Sequence, residues 1–221
     1  MNHRIISRID IKGPNMVKGI HLEGLRVLGK PEKFAKIYYD DNIDELMYQD
    51  VVASLYERNS LEKIIERTAE NIFIPMTVGG GIRNINDINR ILRAGADKVS
   101  INTAAIKNPD LIQEATEYFG SSTIIISMEV IKQQNGEYLL FTDNGREHTG
   151  INLEFWLEKV QKLGAGEILI TSVDKEGTFS GMDIELASLA KKNVSVPIVI
   201  HGGVGKLEHT EILHSLKISG L

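Results

Sequence analysis

Short apolar runs alternate with longer amphipathic ones along the chain. Runs at residues 5–10, 45–50, 75–79, 98–101, 123–128, 167–171 and 197–200 are rich in Val, Ile, Met or Thr. Near-continuous apolarity over so few residues is what a strand covered on both faces of a parallel sheet requires. Between these runs the apolar spacing becomes helical. Leu61, Ile64, Ile65 and Ala69 fall on one face of a helix over 61–71, and Ile85, Ile88, Ile91 and Leu92 do the same in the next. Asn108-Pro109 places a capping side chain before a proline at the first turn of a helix over 109–119. Trp156 and Val160 share a face of a helix over 153–163.

Strand and helix in unbroken alternation predict a parallel sheet with helices outside it. Seven such strands suggest a barrel more than an open sheet. One stretch departs from the rhythm. Residues 138–142 and 146–149 alternate around Asp143-Asn144-Gly145, and Asn-Gly is a strong hairpin signal. A small hairpin is therefore expected after the fifth strand, on the rim where such barrels keep their active sites. No linker or low-complexity segment divides residues 1–221, which read as one α/β domain.

The second half echoes the first at an offset of about 122 residues. Pro75-Met76-Thr77-Val78-Gly79-Gly80-Gly81-Ile82 answers to Pro197-Ile198-Val199-Ile200-His201-Gly202-Gly203-Val204, and Asp44-Glu45-Leu46 to Gly166-Glu167-Ile168. An acidic residue closes the head strand of each half, Asp10 in one and Glu129 in the other. The pattern is an eight-stranded (β/α) barrel of two half-barrels, 1–120 and 121–221. The offset places the counterparts of Lys98-Val99-Ser100-Ile101-Asn102-Thr103 from position 220 onward. The eighth strand and helix are accordingly expected to be truncated.

Composition narrows the chemistry. The formal net charge of −5 gives no reason to expect nucleic acid or a membrane as partner. There are no cysteines, so disulfides, thiolate metal sites and cysteine nucleophiles are excluded. Arg4 and Arg8 flank only the apolar pair Ile5-Ile6, which is no signal peptide, and no apolar run approaches the about 20 residues needed to span a bilayer. The cytoplasm is the default location. Six histidines lack ligand spacing, so neither metal nor cofactor is expected.

Gly79-Gly80-Gly81 follows a strand and precedes a helix, where glycines let backbone N–H groups approach a phosphate. Asn102-Thr103 could complete that pocket, and a tight turn without ligand is the plain alternative. The echo at Gly202-Gly203 favours phosphate, one pocket per half, and so a ligand phosphorylated at both ends. Asp10 and Glu129, facing each other across the mouth, suit a general acid and a general base. Lys18 and Asp50 could bind substrate or be ordinary rim charges. Asp174 opens a polar loop, 174–178, that could contribute with Gly177 and Thr171 to the second pocket. At the opposite end Arg4, Glu45, Lys98 and Glu167 all start strands, and two cations with two anions in one ring would pair.

These residues carry a family likeness. Thr77-Val78-Gly79-Gly80-Gly81-Ile82, the block from Ala96 to Ala105, that from Gly164 to Ser172, Val17-Lys18-Gly19 and Gly202-Gly203-Val204-Gly205-Lys206 resemble the cyclase subunit of imidazole glycerol phosphate synthase. The resemblance implies a TIM barrel fed with ammonia by a glutaminase docked at its N-terminal face. The expected substrate is a bis-phosphorylated ribulosylamino imidazole carboxamide nucleotide, converted to imidazole glycerol phosphate and aminoimidazole carboxamide ribotide. It makes Asp10 the general acid and position 129 the base. Arg4, Glu45, Lys98 and Glu167 match the gate through which ammonia enters.

Four positions depart from the family. Glu129 stands for Asp, Lys12-Gly13-Pro14 for Lys-Asp-Gly, Glu176-Gly177 for Asp-Gly, and His201 for a serine. The gate is intact while the substrate side is altered. Two further readings therefore stay open: a paralogue that puts ammonia onto an acetamido sugar in surface-polysaccharide synthesis, and an inactive barrel that only docks a partner.

Overall fold

The computed structural model describes residues 3–53 and 61–221. Numbered in chain order, β1 (Ile6–Lys12) turns into an antiparallel hairpin, β2 (Asn15–Ile20) and β3 (Glu23–Gly29). β4 (Glu45–Asp50), β5 (Met76–Gly79) and β6 (Lys98–Ile101) follow. β7 (Ile124–Lys132) turns into a second hairpin, β8 (Tyr138–Thr142) and β9 (Glu147–Asn152). β10 (Glu167–Ser172) and β11 (Ile198–His201) complete the set. β1, β4, β5, β6, β7, β10 and β11 pair in parallel in that order. The seven expected strands are all present, within a few residues of the expected bounds. β7 runs longer because its far end pairs with β8 instead of entering a loop.

Among the described residues the helices are α1 (Pro31–Asp40), α2 (Glu62–Ala69), α3 (Ile85–Arg93), α4 (Thr103–Lys107), α5 (Asp110–Phe119), α6 (Leu153–Lys162), α7 (Ile184–Asn193) and α8 (Ile212–Leu216). Their apolar faces pack on the outer wall of the sheet. Ile64, Ile65, Ile88, Ile112, Trp156 and Val160 all join the main core. Asn84, Asn152 and Asp183 cap α3, α6 and α7 by accepting from backbone N–H groups, as short polar side chains before a helix do. Asn108 does not cap α5. Pro109 takes the cap position there without a side-chain bond, and Asn108 turns toward a cavity described below.

A smaller cluster of Met47, Ile125, Leu169 and Val199, with Ile6 against it, fills the inside of the curl. The split follows strand alternation, with Leu46 and Tyr48 facing the helices and Met47 the interior.

The repeat is visible in the register. Leu46 pairs with Met76 and Ile168 with Ile198, both partners displaced by 122 residues. The same displacement relates Thr77↔Lys98 to Val199↔Gly220. The eighth-strand position, whose first residue the offset places at 220, is held by that residue alone. Gly220 bridges Val199 on one side and Arg4 on the other. Ile6 N–H donates to Leu221 O at 2.7 Å, Arg4 N–H to Ser219 O at 3.1 Å, and Ile200 N–H to Gly220 O at 3.1 Å. A short stretch thus links the two ends of the sheet at its lower rim, and the curl becomes nearly a barrel.

Candidate functional site at the barrel mouth

Asp10 pairs with Gln49, and Glu129 with Thr171, one repeat further on. The two carboxylates thus sit on equivalent rungs of the two halves. Both are buried, at 3% and 7% exposure. Their environments differ sharply.

Asp10 Oδ1 accepts from Arg8 Nε at 2.7 Å and Oδ2 from Lys18 Nζ at 3.2 Å. Burial alone would raise its pKa, but Arg8 and Lys18 outweigh it and hold the carboxyl below the usual carboxylate range. Glu129 receives one bond, from Gly145 N–H to Oε2 at 2.8 Å. Burial dominates there and pushes its pKa up to about 7, against the pull of the Gly145 N–H and Arg8. Asp10 is thus held by two cationic side chains, whereas Glu129 is held by one backbone N–H.

The hairpins explain why Glu129 is buried. The sequence signal at Asp143-Asn144-Gly145 gives the β8–β9 turn, with positive φ at all three residues. The β2–β3 turn carries no such signal. It is built on His21 and Leu22 at φ 52° and 62°, a backbone that Gly or Asn takes more readily. The two tips meet: Asn144 Nδ2 donates to Leu22 O at 2.7 Å. That contact closes the hairpins together beside Glu129.

Two cavities open at the mouth. The first, about 350 Å³, is lined by Asp50, Gly80, Gly81, Asn102, Thr103 and Glu129, all expected from the sequence. Gln49, Arg83, Ser100 and Ser127 join them and were not foreseen. Ser100 Oγ and Asn102 Oδ1 are buried there without a hydrogen-bond partner, which leaves acceptor and donor capacity for a ligand. Burial raises the Asp50 pKa, opposed by bonds from the Val52 and Ala53 N–H groups.

Gly80 has φ +94°, and a Cβ there would lie 2.3 Å from Asp50 O. Gly80→Ala is expected to destabilise by about 2 kcal/mol and to weaken binding of inorganic phosphate. Urea unfolding and phosphate titration would check both.

The second cavity, about 690 Å³, is lined at the mouth by Lys18, Glu176, Gly177, His201, Gly202 and Gly203, and it extends beside β1 and β11 down to Ile5, Ile6 and Leu221 at the lower rim. Gly177 is needed for close approach, since a Cβ there would lie 2.5 Å from Gly19 O. Two expected members are placed elsewhere. Asp174 is exposed, and its carboxylate accepts from Lys132 N–H at 2.9 Å, tying its loop to β7. Thr171 is fully buried, with Oγ1 3.4 Å from Arg8 Nη1 and 3.3 Å from His201 Nδ1. It belongs to the barrel interior, because its rung on β10 lies below the loop.

At the lower end Arg4 Nη1 meets Glu45 Oε1 at 2.7 Å, and Arg4 also pairs with Glu167. Lys98 Nζ lies 3.3 Å from Glu45 Oε2 and 3.3 Å from Glu167 Oε2. The four charges thus alternate in one closed ring. Above it is a void of about 20 Å³ lined by Ile6, Met47, Thr77, Ile125, Leu169 and Val199, with Glu45 and Glu167 below and Arg8 and His201 above. That is about room for one water-sized molecule. Arg8 is a site residue with no motif of its own in the sequence; its one signal is that it shares the strand face of Asp10 two residues on.

Comparisons with known proteins agree with this architecture. The family model for histidine biosynthesis proteins matches residues 4–221, which sets the class: a (β/α)-barrel enzyme of histidine biosynthesis. The chain is 55% identical over 207 residues to the imidazole glycerol phosphate synthase subunit HisF of Legionella pneumophila, covering 94% of this chain and 98% of that one. It is 45% identical to HisF of Methanocaldococcus jannaschii over 228 residues, or 95% and 84% of the two chains. It is also 45% identical to HisF of Sulfurisphaera tokodaii over 206 residues, or 93% and 82%. The chain belongs to the HisF family, the cyclase subunits of imidazole glycerol phosphate synthase.

Proposed function

We propose that residues 1–221 act as one barrel domain carrying out the cyclase reaction on ammonia released by a HisH-type glutaminase. Ammonia would enter through the ring of Arg4, Glu45, Lys98 and Glu167, cross the apolar void and meet substrate at the mouth. The acceptor would be the bis-phosphorylated ribulosylamino imidazole carboxamide nucleotide, closed to imidazole glycerol phosphate with release of aminoimidazole carboxamide ribotide. Gly80, Gly81, Asn102 and Thr103 would hold one phosphate, and Lys18, Gly177, Gly202 and Gly203 the other. Asp10 and Glu129 would carry the proton transfers. The observation that carries this reading is the pairing of register-matched carboxylates with a glycine-floored cavity in each half.

The test is turnover of that nucleotide, first with ammonium salt and then with glutamine plus a HisH subunit docked at the ring face. Formation of both products supports the reading. A folded protein that binds the glutaminase yet makes neither product overturns it.

One observation favours a second acceptor. Glu176 and His201, both departures from the family, lie together with Arg8 and Lys18 beside the second cavity. The buried Glu176 Oε2 has no partner there and presents an acceptor where a phosphate would present another anion. Such a site suits a ligand that donates hydrogen bonds, as an acetamido sugar does. Amidination of an acetamido sugar by the same ammonia would establish this reading in place of the first.

A further inference from the structure

Arg8 precedes Asp10 by two residues on β1, so the two side chains leave the same face of the strand. A guanidinium stays charged at every accessible pH and is costly to bury without partners. This one is almost wholly covered, with 6% of its side chain exposed. Its Nε is bound to Asp10 Oδ1 at 2.7 Å. Its Nη1 reaches across the interior to Thr171 Oγ1 on β10 at 3.4 Å and His201 Nδ1 on β11 at 3.5 Å. Arg8 therefore joins the head strand of the first half to two strands of the second.

The groups facing Asp10 come from every side. Arg8 stands on β1, Lys18 on β2, His201 on β11, Glu176 in the loop after β10, and Glu129 on β7. Lys18 is shared with Glu176, and His201 Nε2 lies 3.8 Å from Glu176 Oε1. Burial, then Arg8 and Lys18, push the His201 pKa well down, so its ring is neutral. The two cations remain on Asp10. Glu129 faces the negative fields of Asp143 and Asp10 and takes one backbone bond.

We propose that Arg8 is a positioning residue that locks Asp10 as an aimed carboxylate and so leaves Glu129 as the proton donor of the pair. Asp10 accepts a hydrogen bond from the nitrogen nucleophile and takes its surplus proton once the C–N bond has formed. Glu129 gives its proton to the substrate carbonyl oxygen, and after the pair has reset a second transfer, from the nitrogen to Asp10 and from Glu129 to that oxygen, breaks the C–O bond, so that the oxygen leaves as water and a C=N bond remains. Return of a proton from Asp10 to Glu129 through solvent resets the pair. This rests on the ammonia-using reading and assigns its two carboxylates.

The experiment is the pH profile of kcat/KM, normalised to free NH3, for the wild type, Arg8→Lys and Arg8→Met. It is paired with carboxyl-carbon NMR titration of Asp10 and Glu129 in the same proteins. The wild-type rate is expected to fall as pH rises through about 7, where Glu129 loses its proton, with no limb from Asp10 on the acid side. In Arg8→Met the buried Asp10 loses its main partner, its titration moves up, a new acid limb appears and the rate drops about 100-fold. Arg8→Lys restores much of the rate and removes that limb. A wild-type rate that rises through about 7, or an Asp10 that titrates above the ordinary carboxylate range in the wild type, overturns the proposal. So does an unchanged profile in Arg8→Met. If the wild type uses ammonia on neither acceptor, the cyclase reading fails, and the wild-type Asp10 titration still decides the role of Arg8.

Discussion

Glu129→Gln is expected to lower turnover by about 100-fold or more, the range over which a positioned acid or base contributes, while making the protein more stable above neutral pH. The glutamine keeps the size of the side chain and an oxygen to accept the Gly145 N–H, but it cannot release or gain a proton in this range. The stability gain follows from the environment of the carboxyl. Its pKa is about 7 in the fold against the ordinary 4.5, so the unfolded chain ionises first as pH rises. The wild type has the full benefit below about 4.5, loses it progressively between there and about 7, and has none above. At about 1.4 kcal/mol per unit, the loss is on the order of 3 kcal/mol. Thermal melts at acid and at mildly alkaline pH should therefore converge for wild type and Glu129→Gln at the acid end and separate at the other, with the variant higher. A variant that is as labile as the wild type above neutrality would show that Glu129 ionises freely in the fold.

Glu129→Asp bears on the same point. The change restores the family's residue, yet draws the carboxylate back by about an ångström from a pocket shaped around Glu, a displacement that can cost ~100-fold. Gain of activity with Asp would mean that the neighbouring departures at Glu176 and His201 are independent of position 129. Loss would mean that they form one rearranged site with it.

The parts of this arrangement that were legible in the sequence are those governed by local rules. Strand and helix alternation needs only apolar spacing, and the glycines at Gly80 and Gly203 are demanded by backbones at φ +94° and +93°. The repeat tied those local signals into a barrel, and its offset reappears in the Val199↔Gly220 bridge. What escaped was set by contacts between distant segments. The β2–β3 hairpin turns on His21 and Leu22, which have no turn propensity of note. They are held by tertiary bonds, His21 N–H to Glu176 O at 2.9 Å and Asn144 Nδ2 to Leu22 O. Asp174 reads as a pocket residue because it opens a loop at a strand end, but it was drawn away by the Lys132 N–H on β7. Arg8 looks like an ordinary surface charge near the terminus. The alternating pattern through Ile6, Arg8 and Asp10 nonetheless puts it on the inward face of β1.

The ring at the other end carries the second large effect. Arg4→Met is expected to destabilise by about 3 kcal/mol, because removing one partner of a buried pair leaves charge without compensation. Glu45 and Glu167, at 7% and 6% exposure, would then share Lys98 alone. Arg4→Met also removes the bond from Arg4 Nε to Ser219 O at 3.3 Å, but the backbone bonds of Arg4 to Ser219 and Leu221 remain, so the sheet should still close, and the part of the loss that belongs to the charges is the part a charge-balanced double variant recovers. Arg4→Met/Glu167→Gln removes one charge of each sign and should recover part of it, which urea unfolding of the three proteins measures. The same variants separate stability from nitrogen supply. Ammonium from solution can reach the mouth directly, whereas ammonia made by a docked glutaminase must cross the ring and the void above it. Glutamine-dependent turnover should therefore fall further than ammonium-dependent turnover in Arg4→Met, and charge balance in the double variant should restore folding more fully than it restores coupling. Equal losses in both assays would assign the ring to stability alone.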